Sequence, residues 1–201
     1  MKRLVRGVGI NDADYKVTWQ DENGKQVMCP VYRKWVNMLT RAYDKKFHIK
    51  YPTYIGATVS EEWLRFSVFS NWLVKQPRWQ NRAIDKDILI SGNKLYSKES
   101  CLLIPQHINK LLNDNKASKG KFATGVSYHK QRKKYQANIN IDGKQKHLGY
   151  FTTPSQAEIA YLIAKSDEIA RQAQPFKHTE PKLYQALIAH SCHFFDDYLS
   201  A

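Results

Sequence analysis

The chain has 201 residues, 42% of them hydrophobic and five of them tryptophan, enough for two small domains each with its own core, which argues against a disordered chain. Its 32 Lys and Arg against 18 Asp and Glu leave a formal charge of +14, the footprint of a protein that meets a polyanion. No apolar run reaches the ~18 residues a membrane span needs, MKRLVRG lacks the apolar segment of a secretory signal, and Cys29, Cys101 and Cys192 include no CxxC pair. The expectation is an intracellular, reduced protein without structural zinc or membrane partner, its cysteines serving as small buried apolar residues.

In chain order, Lys16 to Gln26 around Asn23-Gly24 reads as a hairpin. Tyr32, Trp35, Val36, Leu39 and Tyr43 then mark an amphipathic helix that starts after Pro30. Ser60 reads as the N-cap of another helix, with Glu61 and Glu62 in its first turn and Trp63, Phe66, Val68, Phe69, Trp72 and Leu73 along it. Aromatics at helical spacing are packing residues, so only Tyr51, Tyr54 and Trp79, at loop positions, remain as candidates for stacking on bases. From Ile84 to Asn109 a short apolar strand, a Gly92-Asn93 loop, a second strand over Cys101 to Ile104 and a helix opened by Pro105 form a strand-loop-strand-helix unit. The polar stretch Leu112 to Phe122 reads as a linker.

Beyond it, Gly125 to Lys130 is a strand. Tyr135, Ala137, Ile139 and Ile141 alternate with Gln136, Asn138 and Asn140, the pattern of a half-buried strand. Asp142-Gly143 supplies a two-residue turn, and Lys144 to Phe151 returns as the third strand of an antiparallel meander. Thr153-Pro154 opens a helix whose Ala157, Ala160, Tyr161 and Ala164 are small enough to lie close on that sheet. After Pro181, Leu183, Leu187, Ile188, Phe194, Phe195 and Leu199 mark a last helix, whose Asp196-Asp197 disfavours a nucleic-acid contact and points to an outer face, a host protein or a homodimer interface.

Charge concentrates on the sheet: residues 116 to 150 hold nine Lys and Arg against one acid, whereas the last 51 residues are net negative. Gln and Asn on a strand face bond adenine edges while Lys and Arg hold phosphates, so the partner expected here is double-stranded DNA. RNA is a weaker alternative, because small polar and aromatic sheets also read RNA. The stretches GVSYHKQRKKYQANI and HLGYF and the AEIAYLIA helix resemble the integrase-type and ethylene-response-factor-type DNA-binding domain, which lays a three-stranded sheet in the major groove. That resemblance implies DNA contact by Ser127, His129, Arg132, Lys134, Gln136, Asn138, Asn140, Gln145 and His147, and Lys130, Lys133, Lys144 and Lys146 are expected to join them as holders of phosphates.

Upstream, Trp35, Met38, Leu39, Arg41, Tyr43, Glu62, Trp63, Phe66 and Phe69, together with the strand-loop-strand-helix unit, resemble phage-encoded HNH homing-type endonucleases. The resemblance implies a bacterial cytoplasm and a metal-dependent nuclease holding Mg²⁺ or Mn²⁺, with Asp85, Asn93 and Asn109 at motif positions and Asp87 as a further oxygen ligand. The position of its general base carries Lys86, which is protonated at neutral pH, leaving His107 as the nearby imidazole. Asp85, Asp87 and Asn93 suit turn caps as well as ligands. His190 and His193 share a helix face without a third ligand nearby in sequence and read as a surface pair. The expected architecture is α+β: residues 1–111 a helical, nuclease-type domain with a ββα-metal-like hairpin, 112–122 a linker, 123–175 the sheet domain and 176–201 a C-terminal helix. Its function is expected to be sequence-selective DNA binding with cleavage or nicking, or binding alone by a protein whose nuclease domain has decayed.

Overall fold

The computed structural model describes residues 4–113 and 121–199, with side chains up to residue 192. The greater part of the expected linker, 114–120, lies outside the described residues, as do the side chains of His193, Phe194, Phe195, Asp196, Asp197 and Leu199. The protein is α+β and divides into two compact units, Met1–Pro105 and Gln106–Ala201.

The first unit begins with the hairpin β1 (Thr18–Gln20) and β2 (Gln26–Met28), closed by a turn in which the Asp21 carboxylate accepts from the backbone N–H groups of Asn23 and Lys25. Pro30 opens α1 (Pro30–Tyr43), because its fixed φ and missing N–H fit a first helical position. A second short helix, α2 (Lys45–Lys50), follows. The expected helix from Ser60 is corrected. Glu61–Leu64 is a 3₁₀ turn, Ser60 makes no side-chain cap bond, and α3 (Phe66–Val74) starts only after extended Arg65. Its cap comes from far away in sequence, since Asp12 accepts 2.9 Å from the Ser67 N–H and 2.8 Å from the Ser67 hydroxyl.

The apolar faces of α1 and α3 meet in an aromatic core. Trp35, Trp63, Phe66 and Phe69 are almost wholly buried, and the Trp35 indole donates 2.7 Å to the Trp63 carbonyl, so its polar atom is satisfied. The antiparallel pair β4 (Arg82–Asp85) and β6 (Leu102–Pro105) lays Ile84 and Leu103 against this core. Between them β5 (Leu95–Tyr96) leaves the hairpin and pairs in parallel with β3 (Thr58–Val59), bringing Tyr96 into the core.

The second unit opens with α4 (Gln106–Leu112). Its sheet has the order β7 (Val126–His129), β8 (Lys134–Ile141), β9 (Lys144–Phe151), all antiparallel. Asp142 and Gly143 both have positive φ, the geometry of a two-residue turn that follows strand twist. α5 (Pro154–Ala173), capped by Thr153 accepting from the Gln156 N–H, crosses one face of the sheet and buries Ala137, Ile139, Ala157 and Tyr161. α6 (Pro181–Leu199) packs on α5, with Leu183 and Leu187 buried. Of the cysteines, Cys101 is buried and Cys29 partly so, but Cys192 is exposed, contrary to expectation.

Candidate nucleic-acid interface and the hairpin loop

The face of the sheet turned away from α5 is polar because β8 alternates. Cross-strand pairing aligns Ser127 with Gln136, His129 with Lys134, Asn138 with His147 and Asn140 with Gln145 on that face. Gln136 donates 3.0 Å to the Ser127 hydroxyl, and His147 Nδ1 lies 3.1 Å from Asn138 Oδ1. His129 Nδ1 accepts from the Arg132 N–H at 3.3 Å, leaving Nε2 to carry the proton of the neutral ring. Lys130, Arg132, Lys133 and Lys134 are all exposed in and beside the β7–β8 turn. The single acid of this basic stretch, Asp142, is drawn to α5, where Arg171 reaches it at 3.0 Å and Gln172 at 3.3 Å.

One residue of this face escapes sequence reasoning. Between β8 and β9 the register slips: Asn138 pairs with His147 but Ala137 pairs with Gly149, so Leu148 is an extra residue, a β-bulge. The slip reverses alternation, bringing Phe151 opposite Tyr135 on the core face and Tyr150 opposite Gln136 on the polar face. There the Tyr150 ring is met by Arg132 at 4.7 Å, His147 at 4.5 Å and His129 at 5.3 Å. The signal in sequence is Leu148 and Phe151, two apolar residues three apart, which an unbroken strand cannot place on one face. Lys144 and Lys146 pair with Ile141 and Ile139, so both stand on the α5 side of the sheet, apart from the other expected contacts.

In the first unit, Lys86 is the centre of the β4–β5 loop. Its side chain is only 6% exposed, and its ammonium donates 2.7 Å to the Asn93 carbonyl and 3.0 Å to Asp87, 6.0 Å from the Tyr96 ring centre. Asn93 closes the same loop from the other side, donating to the Lys86 and Leu95 carbonyls and accepting from the Leu95 N–H. Asp85 accepts from the Asp87 and Ile88 N–H groups, an Asx turn. Burial first, then the Asp87 carboxylate, pushes the Asp85 carboxyl up to about 6. Burial acts to raise Asp87 too, but hydrogen bonding to Asp85 and Lys86 holds it below its usual range.

A divalent cation asks for about six oxygen ligands. Here Asn93 is spent on backbone groups, one Asp85 oxygen is spent on two N–H groups, and a fixed ammonium already sits on Asp87. These residues as arranged do not fit Mg²⁺ or Mn²⁺. Among the described residues, no group of three or more His, Cys, Asp or Glu side chains is placed to hold a metal. His107 and Asn109 stand on α4 in the second unit; His107 is exposed, and Asn109 accepts from the Asn113 amide. No helix among the described residues is long and apolar enough to cross a membrane.

The raised Asp85 value has a measurable consequence. A carboxyl whose folded value exceeds its unfolded value of 3.8 favours folding at low pH, and that contribution is lost as the pH rises through about 6. Asp87, depressed, acts in the opposite sense, but below that window. Asp85→Asn, which keeps an acceptor for both N–H groups, is therefore expected to raise the melting temperature near pH 7.5 and to leave it unchanged near pH 4. Melts in EDTA at the two pH values check this; an equal effect at both would contradict it.

No protein-family model, curated protein or solved structure matches this chain.

Proposed function

We propose that the protein is a sequence-selective binder of double-stranded DNA, in which the β7–β9 sheet reads base edges and the β4–β6 hairpin serves as scaffold, without cleaving. The observation that carries this reading is the polar face itself. Gln136, Asn138 and Asn140 project in a row from a strand whose opposite face is locked onto α5, with Lys130, Arg132, Lys133 and Lys134 at one end. Amide side chains pair with adenine N6 and N7 in the major groove, and exposed cations hold phosphates and release counterions. A two-stranded ribbon or small sheet is of a size that the groove admits.

Non-cleavage rests on Lys86. Phosphodiester hydrolysis needs a proton acceptor for water and a charge clamp on the phosphate. An ammonium bonded to Asp87 and to the Asn93 carbonyl supplies neither. The reading supported is thus of action by occupancy: a repressor, a competitor for a site or a scaffold.

Titration of labelled duplex by the full chain at several salt concentrations tests it. Gln136→Ala is expected to cost ~1–3 kcal/mol on the preferred sequence and to relax selectivity at one base pair. Arg132→Ala should weaken all duplexes alike and reduce the salt slope by about one. Equal loss on every sequence for Gln136→Ala would remove it from base readout. Tighter binding of structured RNA than of duplex DNA at the same salt would overturn the choice of partner.

A further inference from the structure

The first unit has a surface whose chemistry the duplex reading does not use. α2 and the turn over Pro52–Tyr54 leave large apolar side chains in solvent: Ile49 is 82% exposed, Ile55 59% and Tyr51 42%. The Phe47 ring lies 4.6 Å from Tyr51 and 5.5 Å from Tyr54, a three-ring group. Cations flank it, with the Lys50 ammonium 5.5 Å from the centre of Tyr51 and the Arg41 guanidinium 5.8 Å from that of Tyr54. Lys94 ties the turn by donating 2.6 Å to the Thr53 carbonyl. Asp44, the one acid between residues 41 and 57, is consumed by Arg6 at 2.8 Å and by the Phe47 N–H. Among the described residues, Lys45 and Lys50 have no carboxylate within salt-bridge distance.

We infer that this surface binds single-stranded DNA, with Tyr51 and Ile49 against unpaired bases and Lys45, Lys46 and Lys50 on phosphates. An exposed ring backed by two half-buried ones, beside lysines without a carboxylate partner, is what a single strand needs, because each free base offers a π-face and each nucleotide a charge. A duplex would engage the lysines alone, since its bases are already stacked on one another. Positive charge without a free acid opposes a basic partner, and the cations over the ring faces match the layered charge and aromaticity of a strand.

The test is fluorescence anisotropy of the full chain with a labelled single strand of about 12 nucleotides, within the site sizes such surfaces take. The same sequence is titrated as duplex and as RNA. Tyr51→Ala is expected to weaken single-strand binding about 5- to 50-fold, Tyr51→Phe to leave it within about 2-fold, and both to leave duplex binding unchanged. If Tyr51→Ala melts early, Ile49→Ser, an uncharged and 82% exposed position, takes its place, with single-strand binding expected to fall and duplex binding to stay unchanged. The inference is overturned if the single strand does not bind, if these variants bind it like the wild type, if duplex binding falls in step, or if RNA binds more tightly than DNA.

Discussion

Gly125→Ala is expected to unfold much of the second unit and to take duplex binding with it. Gly125 has φ +78, a left-handed backbone that costs a side-chain-bearing residue ~1–2 kcal/mol. A methyl there would also stand 2.2 Å from the Tyr161 ring and 2.7 Å from the Asn138 carbonyl oxygen. Neither neighbour is free to yield: Tyr161 is in the α5 core, and Asn138 belongs to the central strand and donates back to the Gly125 carbonyl. Overpacking adds ~1–3 kcal/mol, so the combined loss, ~2–5 kcal/mol, is a large part of what holds a small unit folded. Chemical denaturation followed by a sheet-sensitive probe measures it. In a Tyr161→Ala background the cost of Gly125→Ala should shrink, because the ring contact is gone while the backbone strain remains. A full-sized cost in that background would contradict the contact.

Lys86→Met carries the second large effect, in the first unit. The substitution keeps length and apolar bulk but removes the ammonium, leaving the partly buried Asn93 carbonyl without its donor and unpairing Asp87. Asp87 is 51% exposed, so water screens its half of the pair and the loss comes chiefly from the carbonyl, ~1–3 kcal/mol in all. Lys86→His should destabilise similarly and still cleave nothing with Mg²⁺ or Mn²⁺, because it releases Asp87 alone while Asp85 and Asn93 stay bonded to the loop's own backbone. Metal-dependent nicking by Lys86→His would show that a working donor set survives, and would restore the nuclease reading.

Much of this was legible in the sequence wherever the signal is local. Tyr135 to Ile141 alternates with period two, Asp142-Gly143 names its turn, and Pro30 and Thr153-Pro154 announce helix starts through their own backbone chemistry. The failures have the opposite character. Asp12 caps α3 from 55 residues away, so the stronger local signal at Ser60 misleads. β3 and β5 are two residues each and pair in parallel across more than thirty residues, leaving no periodicity to read. The bulge at Leu148 moves Tyr150 by one place, enough to hide an aromatic side chain from a strict alternation. At the candidate sites, the residue types of the polar face and of the hairpin loop could be named from sequence. Their commitments could not, since whether Asp85 and Asn93 serve a cation or their own backbone is decided by bonds only the fold supplies.

The most direct measurement is selection of duplexes from a random pool by the full chain, with Mg²⁺ and with EDTA, beside a Gln136→Ala, Asn138→Ala variant that is checked for folding. One enriched motif is expected from the wild type, the same in both conditions and recovered intact, and a degraded motif from the variant. An identical motif from wild type and variant, no motif at all, or recovery of cut duplexes in Mg²⁺ would contradict it.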